Sequence, residues 1–578
     1  MCGVFAITGN TEDSGEIILA GLKKLEYRGY DSWGIAVKGE KTFKDVGKIS
    51  DVQMTFPKGT TGLGHTRWAT HGGVTKRNAH PHTQGRVTLV HNGVAENFQD
   101  LKKSLPKRYT LLSKTDSEVL AAIIDNLLAD TMNPKNALRK VAKMIEGRFA
   151  LVVMISDAPG IWAVRRGSPL IIGRGKEKTY VASDIPAFLP YTKVVNYLDD
   201  GELAHIHKNQ VRVYSIANGK SIKKRNITVG WNEENATKEG WPHFMLKEIL
   251  EQKETILRTV EHASSSIQGF LSEVQKQNGT YMIASGTAHK AALFAEYLFA
   301  EVADRKINVV RSEEMKMFER FIKKGTALVA ISQSGETADA LEVLEYGKKH
   351  RAKILSITNT PSSSIARMST KHIDINTGAE KAVASTKAMT AQMAILLLCA
   401  YSDGPGIRTG RMLIQETGAN INDMLNPRYS KHIEKIARKL SKEESLFIIG
   451  RNALYPIALE AAIKIQEVSY IHAQGFAAGE LKHGPIALIQ KGTVCLVLGD
   501  DPETITNAME LKTRGARIVG IAPTSHDLFD YWIRVPDCGT AQAIATVIPT
   551  QLLAYYLAIA RGINPDMPRN LAKSVTVK

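Results

Sequence analysis

The sequence predicts an α/β protein in two parts: an N-terminal domain of antiparallel sheets, then two copies of a doubly wound parallel-sheet unit. Three observations carry this reading. Up to about residue 218, strand-like runs succeed one another with few intervening helices, which argues for antiparallel pairing rather than crossover connections. After residue 245, strands and helices alternate, the pattern of a parallel sheet covered on both faces. The second half also repeats itself. Residues 282–298 line up with 447–463, 323–342 with 490–509, and 352–360 with 516–524, in the same order and at nearly constant offset, as expected of two copies of one unit.

Taken in order, "GVFAITG" opens the chain as a strand, and "SGEIILAGLKKLEYRG" (14–29) has helical periodicity. "VTLVHNGV" (87–94), "FALVVMIS" (149–156), "IWAVRR" (161–166), "PLIIG" (169–173) and "TYVASD" (179–184) read as strands. "DSEVLAAIIDNLL" (116–128) and "NALRKVAKMI" (136–145) read as helices between them. The first domain is expected over 2–218. Residues 219–245 are polar and broken by Gly and Pro, so a linker is expected there. The two repeats are expected over 246–408 and 409–567, with a tail at 568–578.

The four cysteines, Cys2, Cys399, Cys495 and Cys538, lie far apart and form no CxxC or Cys/His cluster. Neither a disulfide framework nor a structural zinc site is expected, and no metal or organic cofactor is implied. A reducing, cytoplasmic compartment fits best. No basic, then apolar leader opens the chain. The most apolar stretches, "MAILLLCAY" (393–401) and "VIPTQLLAYYLAIA" (547–560), read as core helices too short to cross a bilayer. A net charge of +17 raises nucleic acid as a partner. The basic residues are scattered, however, and the densest group, "KSIKKRN" (220–226), lies in the expected linker. A solvated basic surface is the better reading, and such a field steers an anionic metabolite toward a cleft.

The divergence between the repeats is informative. In the first copy the turn after "ALVAI" is Ser332-Gln333-Ser334-Gly335-Glu336-Thr337. Small hydroxyl residues and glycine before a helix offer donors where the helix dipole is positive, a cradle for phosphate. Helix capping by Ser or Thr is the plainer reading of any one such turn. The matching turn of the second copy, Gly499-Asp500-Asp501-Pro502-Glu503-Thr504, carries carboxylates and a proline that lacks an N–H. The first copy is therefore the expected phosphate site.

Cys2 stands directly behind the initiator methionine, which aminopeptidases remove before so small a residue. A terminal cysteine then carries a thiol and an α-amine whose pKa of about 8 lets it act as the thiol's own general base. "VHNGVAEN" offers an oxyanion hole in the Asn92 side-chain amide and the Gly93 N–H. Arg67 in "HTRWATHG" suits a carboxylate, and Asp116 suits an ammonium.

"MCG", "EYRGYDS" (26–32), "HTRWATHG" (65–72), "AHPH" (79–82), "HNGVAEN" (91–97) and "TDSE" (115–118) together resemble the glutaminase domain of N-terminal-nucleophile amidotransferases. "SQSGETADA" (332–340), "VASTKAMT" (383–390), "YIHAQGFAAGELKHGP" (470–485) and "PRNLAKSVTV" (568–577) resemble paired sugar-isomerase (SIS) domains. From residue 2 to the C-terminus the chain resembles the glutamine–fructose-6-phosphate aminotransferase (isomerizing) family. The resemblance implies an αββα glutaminase domain followed by two SIS domains and a catalytic tail. It implies an enzyme with L-glutamine and D-fructose 6-phosphate as substrates, D-glucosamine 6-phosphate and L-glutamate as products, and no nucleic-acid or membrane partner.

The same resemblance implies the roles. Cys2 attacks the glutamine amide while Asn92 and Gly93 hold the oxyanion. Arg67, Thr70, His71 and Asp116 bind the glutamine backbone groups, and Trp68 gates an ammonia channel. Ser332, Gln333, Ser334 and Thr337 bind phosphate, while Thr287, Val383 and Ser385 approach the sugar. Glu467 shuttles the proton between C1 and C2, and Lys464, on the same helix face, assists the hydroxyls. His483 opens the sugar ring from a neighbouring subunit, hence an expected homodimer, and Lys573 forms a Schiff base with the open ketose. The chain departs from the family at Ser285-Gly286-Thr287-Ala288, where Cys-Gly-Thr-Ser is usual. The lost hydroxyl removes a phosphate donor that His289 and Lys290 can replace if they face the site. That departure keeps a second substrate, another keto-sugar phosphate, open. A sugar-phosphate-responsive regulatory or nucleic-acid-binding protein is a third reading, supported only by the net charge.

Overall fold

The computed structural model describes residues 2–130, 132–229 and 238–573. The chain divides into two compact units, 1–235 with 572–578, and 236–571.

The first unit holds two antiparallel sheets, of eight and seven strands. In the first sheet β1 (Gly3–Gly9) lies between strand Lys178–Ala182 and β2 (Thr61–Arg67). In the second, β3 (Val87–Gly93) pairs along its whole length with β4 (Phe149–Ile155). The central strands of both sheets are buried on both faces, which explains why they read as continuous apolar runs. Alternation within each strand sorts the side chains. Val4 and Ala6 of β1 join Val90 of β3 and Ala150, Val152 and Met154 of β4 in the seam between the sheets. Phe5 and Ile7 point the other way, into a core shared with α1 (Ser14–Lys24). Phe149, Leu151 and Val153 pack against α2 (Asp116–Ala129) and α3 (Pro134–Met144). The result is four layers, helix on sheet on sheet on helix.

Strands Ser221–Ile222 and Ile227–Thr228 pair at the edges of these two sheets, and helix Phe244–Leu250 begins inside the predicted linker. The linker expected at 219–245 therefore starts too early and ends too late. Two-residue polar edge strands carry no hydrophobic alternation, so nothing in their sequence marks them as sheet.

The second unit holds two five-stranded parallel sheets of identical topology. The first is built from β5 (Gly279–Ala284), β6 (Asn308–Arg311), β7 (Thr326–Ser332), β8 (Lys353–Thr358) and β9 (Lys371–Asp374), in the order β6-β5-β7-β8-β9. The second is built from β10 (Ser445–Gly450), β11 (His472–Ala477), β12 (Val494–Leu498), β13 (Arg517–Ala522) and β14 (Tyr531–Arg534), in the order β11-β10-β12-β13-β14. The duplicated order establishes the internal repeat. In each sheet the chain leaves the first strand to one side and returns on the other, which makes a crevice at the strands' C-terminal ends. After β5 comes α4 (Gly286–Ala303), after β7 comes α5 (Ala338–Lys349), and α6 (Lys387–Asp403) is buried nearly all round. In the second copy a 3₁₀ turn, Asn452–Leu454, intervenes before α7 (Tyr455–Ser469). One apolar core joins both copies through these helices.

The last long helix, α8 (Gln542–Ala560), with its preceding turn from Gly539, spans 22 residues. That length suffices to cross a bilayer, against the sequence expectation. Its most apolar window is 83% buried inside the unit, as a core helix.

Candidate active sites

In the first unit the expected glutaminase residues converge at one end of β1, β2 and β3. The Cys2 thiol is half-buried and accepts the Trp68 backbone N–H at 3.3 Å. Burial raises its pKa, against the amino-terminal charge, the Trp68 N–H and the Arg67 and Arg28 guanidiniums. The carbonyl of Cys2 accepts Arg28 Nε–H at 3.2 Å and Asn92 Nδ2–H at 3.0 Å. Arg28, 5% exposed, is itself held by Asp184 at 3.3 Å. Asn92 and Gly93 end β3, and Gly93 has a φ of +115°. A Cβ there would lie 2.1 Å from the Arg148 carbonyl oxygen, so only glycine permits this turn beside Asn92.

Arg67 ends β2, and its guanidinium donates to the carbonyls of His71, Gly72 and Gly73. It thereby closes the 67–73 loop, and Asp31 anchors the same loop by accepting Ala69 N–H at 2.8 Å. Thr70 is exposed in that loop, and the His71 ring packs edge-on against Phe98. Asp116 opens α2, where the helix dipole favours a carboxylate. It accepts Ala95 N–H at 2.9 Å and the Ser117 hydroxyl at 3.2 Å, and so ties the helix to the strand end that carries Asn92 and Gly93. Sequence reasoning missed the buried histidines behind these groups: His65, His80, His82 and His91. Rings of His65 and His80 lie 4.2 Å apart, and those of His80 and His82 4.7 Å apart. His80 and His91 both bond the Ser117 hydroxyl, at 2.8 and 3.0 Å. Burial lowers the pKa of all four, that of His65 to about 3.

In the second unit, Lys464 and Glu467 stand one turn apart on α7 in direct contact. Lys464 also lies 3.5 Å from Glu460, and Glu460 accepts the Thr287 hydroxyl at 2.9 Å from the first turn of α4. This bond joins the two copies of the repeat. Glu460 is 0% exposed and Lys464 1%. Burial raises the Glu460 pKa against the pull of Lys464 and Lys290. For Lys464 burial acts downward, but Glu467 and Glu460 outweigh it and leave the pKa raised. Glu460 was not anticipated, although its i, i+4, i+7 spacing with Lys464 and Glu467 is a legible single-face signal. Lys290, one turn beyond Thr287, is 6% exposed and donates to the Gly286 carbonyl at 3.1 Å.

The expected phosphate turn links β7 to α5. Ser332 and Thr337 hydroxyls bond each other at 2.9 Å, the Gly335 N–H reaches Ser332 Oγ at 3.0 Å, and the Glu336 N–H reaches Ser334 Oγ at 3.2 Å. The Gln333 carbonyl accepts the Asn359 N–H at 3.1 Å. Ser385 donates to Glu380 at 2.9 Å, and the same carboxylate accepts the Thr386 and Ala388 N–H groups at the start of α6. The Val383 N–H is held by the Asp566 carbonyl at 3.1 Å. His483 lies exposed at the end of a 3₁₀ turn and, among the described residues, makes no hydrogen bond or ion pair to Lys464 or Glu467. Lys573 is half-buried and is the last described residue. The rest of the tail motif, 574–577, lies outside the described residues.

The glutamine amidotransferase domain model matches residues 47–228, and the SIS domain model matches 273–402 and 439–561. A glutamine–fructose-6-phosphate aminotransferase (isomerizing) from Pyrococcus horikoshii is 39% identical, and one from Thermococcus kodakarensis is 37% identical, each over the full length of both chains. The solved C-terminal domain of glucosamine-fructose-6-phosphate aminotransferase from Francisella tularensis matches with a TM-score of 0.53 at 30% identity. It covers 58% of this chain and 100% of its own. By descent over its whole length and by both domain types, the chain belongs to the glutamine–fructose-6-phosphate aminotransferase (isomerizing) family.

Proposed function

We propose that this protein transfers the amide nitrogen of L-glutamine to D-fructose 6-phosphate and isomerises the product, giving D-glucosamine 6-phosphate and L-glutamate. The observation that carries the reading is Cys2, whose thiol accepts the Trp68 N–H and whose carbonyl accepts the Asn92 amide N–H.

Once Met1 is removed, the Cys2 α-amine takes the thiol proton as sulfur attacks the glutamine side-chain carbonyl. Asn92 Nδ2–H and Gly93 N–H stabilise the oxyanion. Its collapse expels ammonia with the borrowed proton and leaves a γ-glutamyl thioester, which water hydrolyses to glutamate. Arg67, Thr70, His71 and Asp116 hold the glutamine α-carboxylate and ammonium. Trp68 gates the passage of ammonia.

At the sugar site, Ser332, Gln333, Ser334 and Thr337 bind the phosphate, with Thr287, Val383 and Ser385 on the sugar. His483 opens the ring, and the Lys573 amine condenses with the C2 carbonyl, releasing water. Ammonia displaces Lys573 from the imine. Glu467 then removes the C1 proton and returns it to C2, while Lys464 assists the hydroxyl that becomes the aldehyde. Because His483 is exposed in its own chain, its role requires a neighbouring subunit, and the working form is a homodimer. The reaction belongs to the cytoplasm.

Cys2→Ala tests the reading. Glutamine-dependent synthesis disappears, while synthesis from free ammonia and sugar isomerisation persist. Loss of all three together would count against separate sites. Mass spectrometry of products from a panel of ketose phosphates decides the substrate, which Ala288 and Lys290 make worth asking.

A further inference from the structure

The buried histidines behind the nucleophile include one in direct contact with the oxyanion donor. His65, on β2, is 0% exposed. Its Nε2 lies 3.1 Å from the His91 carbonyl oxygen and 3.2 Å from Asn92 Oδ1. The His91 carbonyl only accepts, so Nε2 carries the proton. Nδ1 of the same ring is buried with no hydrogen-bond partner. An unpaired lone pair is the tolerable alternative there, since an unpaired N–H would be the costlier state. Burial holds the ring neutral, with its pKa at about 3. The tautomer in turn decides Asn92. With a donor on one side, the amide must turn its oxygen toward His65 and its NH₂ toward Cys2, whose carbonyl it reaches at 3.0 Å. A tilted ring contact with His80, itself bonded to Ser117, restricts the ring from one face.

We propose that His65 is a positioning residue for glutamine hydrolysis: its Nε2–H holds the Asn92 side-chain oxygen so that the amide N–H faces the reacting carbonyl oxygen before glutamine arrives. The proposal rests on the reading of Asn92 as an oxyanion donor given above. An amide free to turn over would present its oxygen to the developing negative charge in part of the population. Preorganised donors act without reorganisation at the moment of reaction, which is where their catalytic effect resides. The consequence falls on kcat, because the glutamine α-carboxylate and ammonium are bound elsewhere.

The experiment measures glutamine hydrolysis by the full chain carrying His65→Leu, His65→Gln, His65→Asn or Asn92→Ala. Melting temperature is followed in parallel. Affinity for the γ-aldehyde analogue of glutamine, which forms a tetrahedral adduct with a thiol, is the second readout. His65→Leu is expected to lower kcat by about 10-fold or more with KM for glutamine within about 3-fold, and to weaken the aldehyde in step. His65→Gln, which restores an N–H at similar reach, recovers most of kcat, and His65→Asn, one methylene shorter, does not. If His65→Leu fails to fold, the Gln-against-Asn comparison carries the test. Equal kcat in those two variants, or a raised KM at unchanged kcat, overturns the proposal. An Asn92→Ala variant that keeps wild-type hydrolysis removes the oxyanion reading itself. Loss in Asn92→Ala with none in His65→Leu removes only the role of His65.

Discussion

At the scale of single residues, the sites are governed by who holds whose hydrogen bond. Burial raises the Cys2 pKa, so the thiol rests protonated at neutral pH and needs a base at the moment of attack, the task proposed for its own amine. In the second unit, the Thr287 hydroxyl and Lys464 favour the charged form of Glu460 against the burial that raises its pKa. Thr287→Val removes that hydroxyl beside a carboxylate whose other oxygen is buried without a partner. A stability loss of about 1–3 kcal/mol is expected, measured by denaturant titration. Lys290 is buried with a backbone carbonyl as its hydrogen-bond partner, and it shares the Thr287 face of α4, one turn on. Lys290→Met is expected to raise KM for the sugar phosphate about 10-fold, the effect of losing one charge-assisted bond. An unchanged KM would mean that Lys290 serves only to balance Glu460.

The four buried histidines set a pH limit at the same scale. Each has a folded pKa below its unfolded value, so its stabilising contribution is complete above about pH 6.5. It declines as pH falls toward the folded pKa, because the unfolded chain binds protons that the native rings refuse. For His65, folded pKa about 3, the loss by pH 5 is roughly 2 kcal/mol. Thermal melts between pH 7.5 and 5 should show it, and a flat profile would contradict the buried neutral rings.

Among the elements, strand ends and the turns after them carry most of the candidate site residues. Gly93 at the end of β3 has no room for a side chain, and Gly93→Ala is expected to cut glutamine hydrolysis by about 100-fold or more through the displaced oxyanion hole. Ammonia-dependent synthesis reads out the other site and stays unchanged. The two copies of the β-turn-helix unit differ in the turn between strand and helix. In the second copy Asp501 caps the following helix through the Thr504 N–H at 3.0 Å, and Asp500 accepts the Thr524 N–H at 3.0 Å. Both carboxylates are thus engaged with backbone N–H groups, and their negative charge is expected to disfavour a phosphate there. In the first copy Gly335 has a φ of +66° and a Cβ there would meet Ser363 Oγ at 2.0 Å. Gly335→Ala is expected to raise KM for the sugar phosphate by about 10-fold or more, while Asp501→Ser leaves it within about 2-fold. Kinetics with free ammonia as nitrogen donor separate the two.

For the whole molecule, the elements were legible where periodicity was strong. The strands from 87 to 182, the helices at 14, 116 and 136, and the duplicated parallel sheets follow the sequence pattern closely. The edge strands at 221–228 were not legible, because two polar residues at a sheet margin have no period to read. Nor did the composition of α8 distinguish a core helix from a membrane span; its burial did. Cys2, Asn92, Gly93 and the hydroxyl turn could be named as candidates because each sits in a chemically distinctive run. The Thr287–Glu460 and His65–Asn92 contacts could not, since the partners lie far apart in sequence and meet only through packing.

The amino-acid order alone determined the strongly periodic secondary elements, the repeat and the chemical types offered at their ends, since these depend on neighbours a few positions away. The tertiary structure alone decided which of those groups meet: His65 with Asn92, Thr287 with Glu460, Ser385 with Glu380. The physical reason is that a buried donor and acceptor separated by tens of residues find each other through register and packing, and burial then sets both their protonation and their orientation.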